Sequence, residues 1–130
     1  MKKRKRKKKI VFPKPVRLEI YKKYQGHCAY CGTKLKYERM QVDHMHPRCK
    51  AHQQKGKDNN RLDNLMPSCQ KCNGHKSGMM LEKWRKELGL QVKRLKKYAQ
   101  FDRALRFGQV KVCEKPIVFY FESADGEKRS

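Results

Sequence analysis

The chain has 130 residues, 35 of them Lys or Arg against 12 Asp or Glu, for a formal charge of +23 and a pI near 10.1. That balance excludes most ordinary metabolic enzymes and calls for a polyanionic partner, nucleic acid before an anionic membrane surface. Hydrophobic residues make up only 37%, so the core must be small and something besides apolar burial has to support it.

Residues 1–14 begin with eight consecutive cations at positions 2–9 and end in Phe12-Pro13-Lys14-Pro15, where two prolines disfavour helix. This segment reads as a disordered basic arm, with Lys2, Lys3 and Arg4 as candidate phosphate contacts. Setting the eight cations aside lowers +23 only to +15, so the body of the protein is basic as well. Only Ile10-Val11-Phe12 follow before Pro13, whereas a secretory apolar region needs about 7–15 residues. The longest apolar run, 117–121, is far short of the roughly 20 residues of a membrane span. The expectation is a cytoplasmic protein with no membrane partner, in a reducing compartment where paired cysteines are more often metal ligands than disulfides.

From Pro15 the apolar residues Val16, Ile20 and Tyr24 recur every four positions and Gly26 stops the pattern, predicting a short amphipathic helix. Cys28-Ala-Tyr-Cys31 is a tight cysteine turn, and Met40-Gln41-Val42-Asp43 reads as a brief strand. Residues 48–60 are polar and loop-like. Leu65-Met66-Pro67 is a second short strand candidate that leads into Cys69-Gln-Lys-Cys72. Leu81, Trp84, Leu88, Val92, Leu95 and Ala99 then form a helical stripe, which Gly89 divides because an interior glycine costs ~1 kcal/mol. Residues 110–122 end in strand formers and predict a C-terminal β-strand. The resulting domain scheme is a basic arm at 1–14, a central domain at 15–88, and a basic helical extension at 89–130 that ends in the strand.

Cys28-x-x-Cys31 and Cys69-x-x-Cys72 are two knuckles separated by 37 residues. Two residues between cysteines let both sulfurs turn to one point, and two such turns make a closed tetrahedral thiolate site, the structural Zn²⁺ arrangement. A redox role would normally come as a single pair near a βαβ pattern, which is absent. Such a site supplies the support that the small core lacks. Cys49 and Cys113 fall outside this spacing and read as a surface thiol and a core thiol.

Inside the frame stand Val42-Asp43-His44-Met45-His46-Pro47, Leu62-Asp63-Asn64-Leu65 and Cys72-Asn73-Gly74-His75-Lys76. The order cysteine pair, Asp-His, Asn-Leu, Cys-x-x-Cys-Asn-x-x-Lys resembles the HNH endonucleases, the zinc-framed branch of the ββα-metal (His-Me finger) nucleases, over about residues 15–85. The resemblance implies an α+β fold, a small zinc-stabilised ββα core with flanking helices. Its strands would lie near 40–44 and 65–68, and its helix would begin at about Asn73. It implies a nuclease that cuts one DNA strand per site and leaves 5′-phosphate and 3′-hydroxyl ends, acting as a monomer or homodimer in a bacterial or phage-infected cell.

Neutral His44 can take a proton from water near physiological pH and is the expected general base. Asp43 and Asn73 offer hard oxygens suited to Mg²⁺ or Mn²⁺. Regular strand geometry would turn Asp43 and His44 apart, so the strand is expected to end or bend there and bring both into one cleft. By family position Asn64 is expected to accept a hydrogen bond from the second ring nitrogen of His44. Lys76 reads as a phosphate contact, and Lys83 and Arg85 open a run of cations, reaching Arg106, available to the DNA backbone. The final family histidine is replaced by Asn73, with His75 as an alternative ligand; two residues apart on a helix, they would not serve together. His46 and His52 read as exposed, His27 as a cap or phosphate contact, Trp84 and Leu88 as core, and Tyr30 as packing. Two other readings fit the composition: a zinc-stabilised nucleic-acid-binding protein without catalysis, which leaves Asp43, His44, Asn64 and Asn73 unexplained, and an HNH nuclease acting on RNA.

Overall fold

The computed structural model describes residues 11–47 and 60–124. Residues 1–10 of the expected basic arm, with Lys2, Lys3 and Arg4, and residues 48–59 of the loop, with Cys49 and His52, lie outside the described residues, whereas Phe12 packs against the core and Lys14 opens the first helix. Helix α1, Lys14–Lys22, starts with proline in its first turn and buries Ile20. Pro13 accepts from the N–H of Arg17 and so closes that first turn. Arg17 reaches across to donate to the carbonyls of Tyr37 (3.0 Å) and Met40 (3.1 Å), fixing the short 3₁₀ turn that launches strand β1, Gln41–His44.

Strand β2, Leu65–Ser68, pairs with β1 antiparallel, with Asp43 opposite Met66 and His44 opposite Leu65. All four β2 residues are buried. Its outer edge is covered by the first cysteine turn, where Ala29 N–H donates to the carbonyl of Pro67 at 2.8 Å. Pro67 has no N–H to offer, and here it is required only to accept. Lys23, just past α1, donates to the carbonyls of Leu62 (3.0 Å) and Leu65 (2.8 Å), tying the entry of β2 to the first helix.

Helix α2, Gln70–Lys76, follows β2 directly and completes the expected ββα unit. It begins three residues before Asn73, because Cys69 is its N-cap and accepts from the N–H of Cys72 through its sulfur. The stripe that follows breaks at Gly89 as expected, into α3 (Leu81–Gly89), α4 (Gln91–Leu95) and α5 (Ala99–Arg106). Among the described residues, no helix is long and apolar enough to cross a membrane.

The expected C-terminal strand is not formed. Residues 110–119 are irregular, and 120–124 form a last short helix, α6 (Tyr120–Ala124). Tyr120 and Phe121 do donate to the carbonyls of Tyr30 and Ala29, but as the head of that helix rather than as a ladder. The β-forming residues serve an aromatic stack instead. Phe119 stacks on Trp84 at 5.0 Å, and the Arg85 guanidinium sits 4.6 Å from the centre of the Phe119 ring while bonding the Glu122 carboxylate. That bond holds the Glu122 carboxyl below its usual range. The core therefore runs from Ile20 through the first cysteine turn and Trp84 to Phe119, so residues 117–121 complete the packing of the central domain. Cys113, expected in the core, is exposed.

Phe119→Ala should consequently cost about 3 kcal/mol or more in denaturant unfolding of the metal-loaded protein, the usual loss for a buried aromatic. A change below about 1 kcal/mol would show that residues 117–121 add little to the core.

Candidate active site and metal centre

The two cysteine turns meet as the spacing predicts. The sulfurs of Cys28, Cys31, Cys69 and Cys72 all lie within 4.8 Å of one another, and Cys31 Sγ is 3.8 Å from Cys69 Sγ. A regular tetrahedron with metal–sulfur bonds of ~2.3 Å has edges of roughly 3.8 Å, so the group can hold one metal ion. Gly32 makes the first turn, at φ +78°, and a Cβ there would come within 2.7 Å of the Tyr120 ring. Backbone N–H groups already point at sulfur, from Cys69 to Cys28 and from Cys72 to Cys69, both at 3.4 Å. The thiols are unequal. A hydrogen bond from the Cys72 thiol, helped by backbone donors and opposed by burial, lowers Cys28 to about 4, while Cys72, as donor to Cys28 and partly buried, is pushed up.

Next to this cluster, Asp43 turns inward from β1 and is 6% exposed. Its Oδ2 accepts from the hydroxyl of Tyr30 at 2.5 Å and lies 3.0 Å from Nζ of Lys76. Lys76 is wholly buried and also donates to the carbonyl of His44 at 2.9 Å. A buried ammonium is tolerated only when paired and hydrogen-bonded, which is the case here. Lys76, expected as a phosphate contact, is buried instead, with its ammonium on the Asp43 carboxylate and the backbone carbonyl of His44. Burial first, then the charge and hydrogen bond of Asp43, push the Tyr30 phenol far above its ordinary value, so it remains a donor.

His44 closes β1, and the chain bends immediately after it. The strand stays regular through Asp43, so the two side chains take different partners. His44 Nε2 lies 2.8 Å from Oδ1 of Asn60, and its ring is 6.4 Å from that of Phe12. With an amide oxygen as partner, Nε2 of the neutral ring carries the proton. The amide of Asn64, the expected partner of the ring, holds the backbone beyond it instead: Oδ1 accepts from His46 N–H at 2.8 Å and Nδ2 donates to the His46 carbonyl at 3.1 Å. Asn64 shapes the bend after His44, and Asn60 meets the ring. Only a cluster of turn-forming residues, Asp58-Asn59-Asn60, marks Asn60 in the sequence.

Asn73 lies one turn before Lys76 on α2, a spacing that puts both on one helix face. Lys76 reaches Asp43 from that face. His75 turns elsewhere: its Nδ1 accepts from Nε1 of Trp84 at 2.7 Å, because indole can only donate. Lys83 is exposed, whereas Arg85 is engaged by Glu82, Glu122 and the carbonyl of Ile117. Arg85 is a brace for the C-terminal segment.

Residues 28–78 match the family described as HNH endonuclease. Over 75 residues the chain is 35% identical to the CRISPR-associated endonuclease Cas9 of Actinomyces naeslundii, a match that covers 58% of this chain and spans 6% of that relative's length. The crystal structure of the Type II-C Cas9 enzyme from Actinomyces naeslundii aligns with a TM-score of 0.47 at 36% identity, over 57% of this chain and 7% of that one. The matched stretch opens at the first cysteine, takes in the Asp-His strand and the second cysteine pair, and ends just past α2: residues 28–78 carry the likeness to the HNH endonucleases.

Proposed function

We propose that the protein is a metal-dependent endonuclease that hydrolyses DNA phosphodiester bonds, with His44 as general base and a structural Zn²⁺ in the four-cysteine cluster. The observation that carries this reading is the fixing of His44 at the end of β1, with Asn60 on Nε2 and Lys76 on its carbonyl. With its ring oriented by Asn60, the His44 imidazole takes the proton from water. The resulting hydroxide attacks phosphorus, the bond to the 3′ oxygen breaks, and that oxygen takes a proton from solvent, leaving a 5′-phosphate and a 3′-hydroxyl. Asp43 and Asn73 would hold Mg²⁺ or Mn²⁺, which when bound supplies charge stabilisation on the scissile phosphate and the leaving oxygen. Nicking of supercoiled plasmid in either ion, with end mapping of the products, tests the reading. A protein that binds DNA and never nicks it would be the non-catalytic alternative.

The substrate backbone has a surface suited to it beside the cysteine turns. A groove of about 790 Å³ is lined by Lys34, Lys36, Arg39 and Lys71 with the amides of Gln41 and Gln70. No carboxylate lines it, and none of the four cations pairs with a described acidic residue, unlike Arg85, Arg94 and Arg106 on the C-terminal helices. Gln41 at its rim is three residues before His44 on β1, ~10 Å at strand rise, less than a third of a duplex turn of ~34 Å. A Lys36→Gln/Lys71→Gln variant should weaken DNA binding and flatten its dependence on log salt by up to ~0.9 per lost contact. An unchanged slope would remove this groove from the interface.

A further inference from the structure

The first cysteine turn carries two functions on adjacent residues. Cys28 and Cys31 contribute sulfurs to the metal cluster, and Tyr30 between them sends its hydroxyl to Asp43 Oδ2. The same oxygen is met by Lys76, which also holds the His44 carbonyl. A continuous line of bonds therefore leads from the four-sulfur cluster through Tyr30 and Asp43 to Lys76 and the backbone of the general base. Packing alone does not explain this arrangement. The Tyr30 ring already makes edge contacts with Trp84 (5.0 Å), Phe119 (5.6 Å) and Phe121 (6.2 Å), and a phenylalanine would make the same ones.

We propose that Tyr30 is a positioning residue for the catalytic divalent ion: with Lys76 it occupies Oδ2 of Asp43, leaves Oδ1 to face the ion, and does so only while its own cysteine turn is closed on the structural metal. The inference rests on Asp43 being a ligand of that ion, as in the reading above. It makes the structural metal a requirement for assembling the second site as well as for folding. Groups that orient a metal ligand commonly contribute 10–100-fold to metal affinity, through the fixed direction of the ligand's lone pairs.

The test is Tyr30→Phe in the full, zinc-loaded chain, with Mn²⁺ affinity read by titration calorimetry and nicking measured against Mg²⁺ concentration. Zinc content and melting temperature control for folding. Tyr30→Phe is expected to keep its zinc, to bind Mn²⁺ about 10-fold more weakly, and to need correspondingly more Mg²⁺ for half-maximal nicking, with much of the rate recovered at saturating ion. Trp84→Phe disturbs the same aromatic group without touching the hydroxyl, and should lower the melting temperature while leaving Mn²⁺ affinity in place. Equal Mn²⁺ affinity in Tyr30→Phe and wild type would overturn the proposal, as would equal weakening by Trp84→Phe. Wild-type protein that binds no Mn²⁺ would instead defeat the parent reading, and the inference with it.

Discussion

Removing the metal from the four cysteines should unfold the centre of the protein. The sheet has two strands of four residues each, and the buried hydrophobic cluster is short of large aliphatic side chains. Cys28 is itself fully buried within that cluster, and its neighbours Ala29 and Tyr30 form the edge against which β2 and the C-terminal segment are hydrogen-bonded. Opening the turn would release both attachments at once. A structural zinc site carries on the order of 10 kcal/mol of apparent binding energy, comparable to the roughly 5–15 kcal/mol by which whole domains are stable. Prolonged treatment with a strong chelator should therefore abolish cooperative melting and most of the helical circular dichroism, with recovery on adding Zn²⁺. Cys69→Ala should go further than an ordinary sulfur deletion, because Cys69 also caps α2. An unchanged melting curve after chelation would show that the four sulfurs hold no structural metal.

His44→Ala is the second large effect, and it falls on chemistry alone. General-base catalysis by a placed imidazole typically contributes about 10²–10⁴-fold in rate. The variant should lose nicking by that factor, while DNA affinity, set by cations elsewhere, stays within about threefold of wild type. The fold should survive, since the His44 side chain is only partly buried and Lys76 is bonded to its carbonyl, which alanine retains.

The parts of the fold that were legible in the sequence are those specified over short distances. Two Cys-x-x-Cys turns, two short apolar runs and a helix-breaking Gly89 each declare themselves within a few residues, and each stands close to where it was expected. The start of α2 was placed three residues late because a cysteine sulfur, a less familiar cap than serine or aspartate, begins the helix. Lys76 shows the opposite limit. Lysine is almost never fully buried unless paired, and its partner lies 33 residues earlier, so no local pattern announces the pair. The 117–121 run looks like a strand because strand propensity reflects packing on a half-buried surface. Here that surface is Trp84 and the first cysteine turn, and a helix head satisfies it as well as a ladder would. At the candidate site, Asp43, His44, Asn64 and Asn73 were marked by motif order. The contacts that distinguish Asn60 from Asn64, and Tyr30 from an ordinary core aromatic, arise only when the segments meet.

Catalysis by His44 is tested by incubating the purified, zinc-loaded protein with supercoiled plasmid in Mg²⁺ or Mn²⁺, beside His44→Ala at equal DNA occupancy. Open-circular product bearing 5′-phosphate and 3′-hydroxyl ends is expected from the wild type, and at least a hundredfold less from the variant. Plasmid that stays supercoiled with both ions, or nicking that persists undiminished in His44→Ala, would contradict a catalytic role for His44.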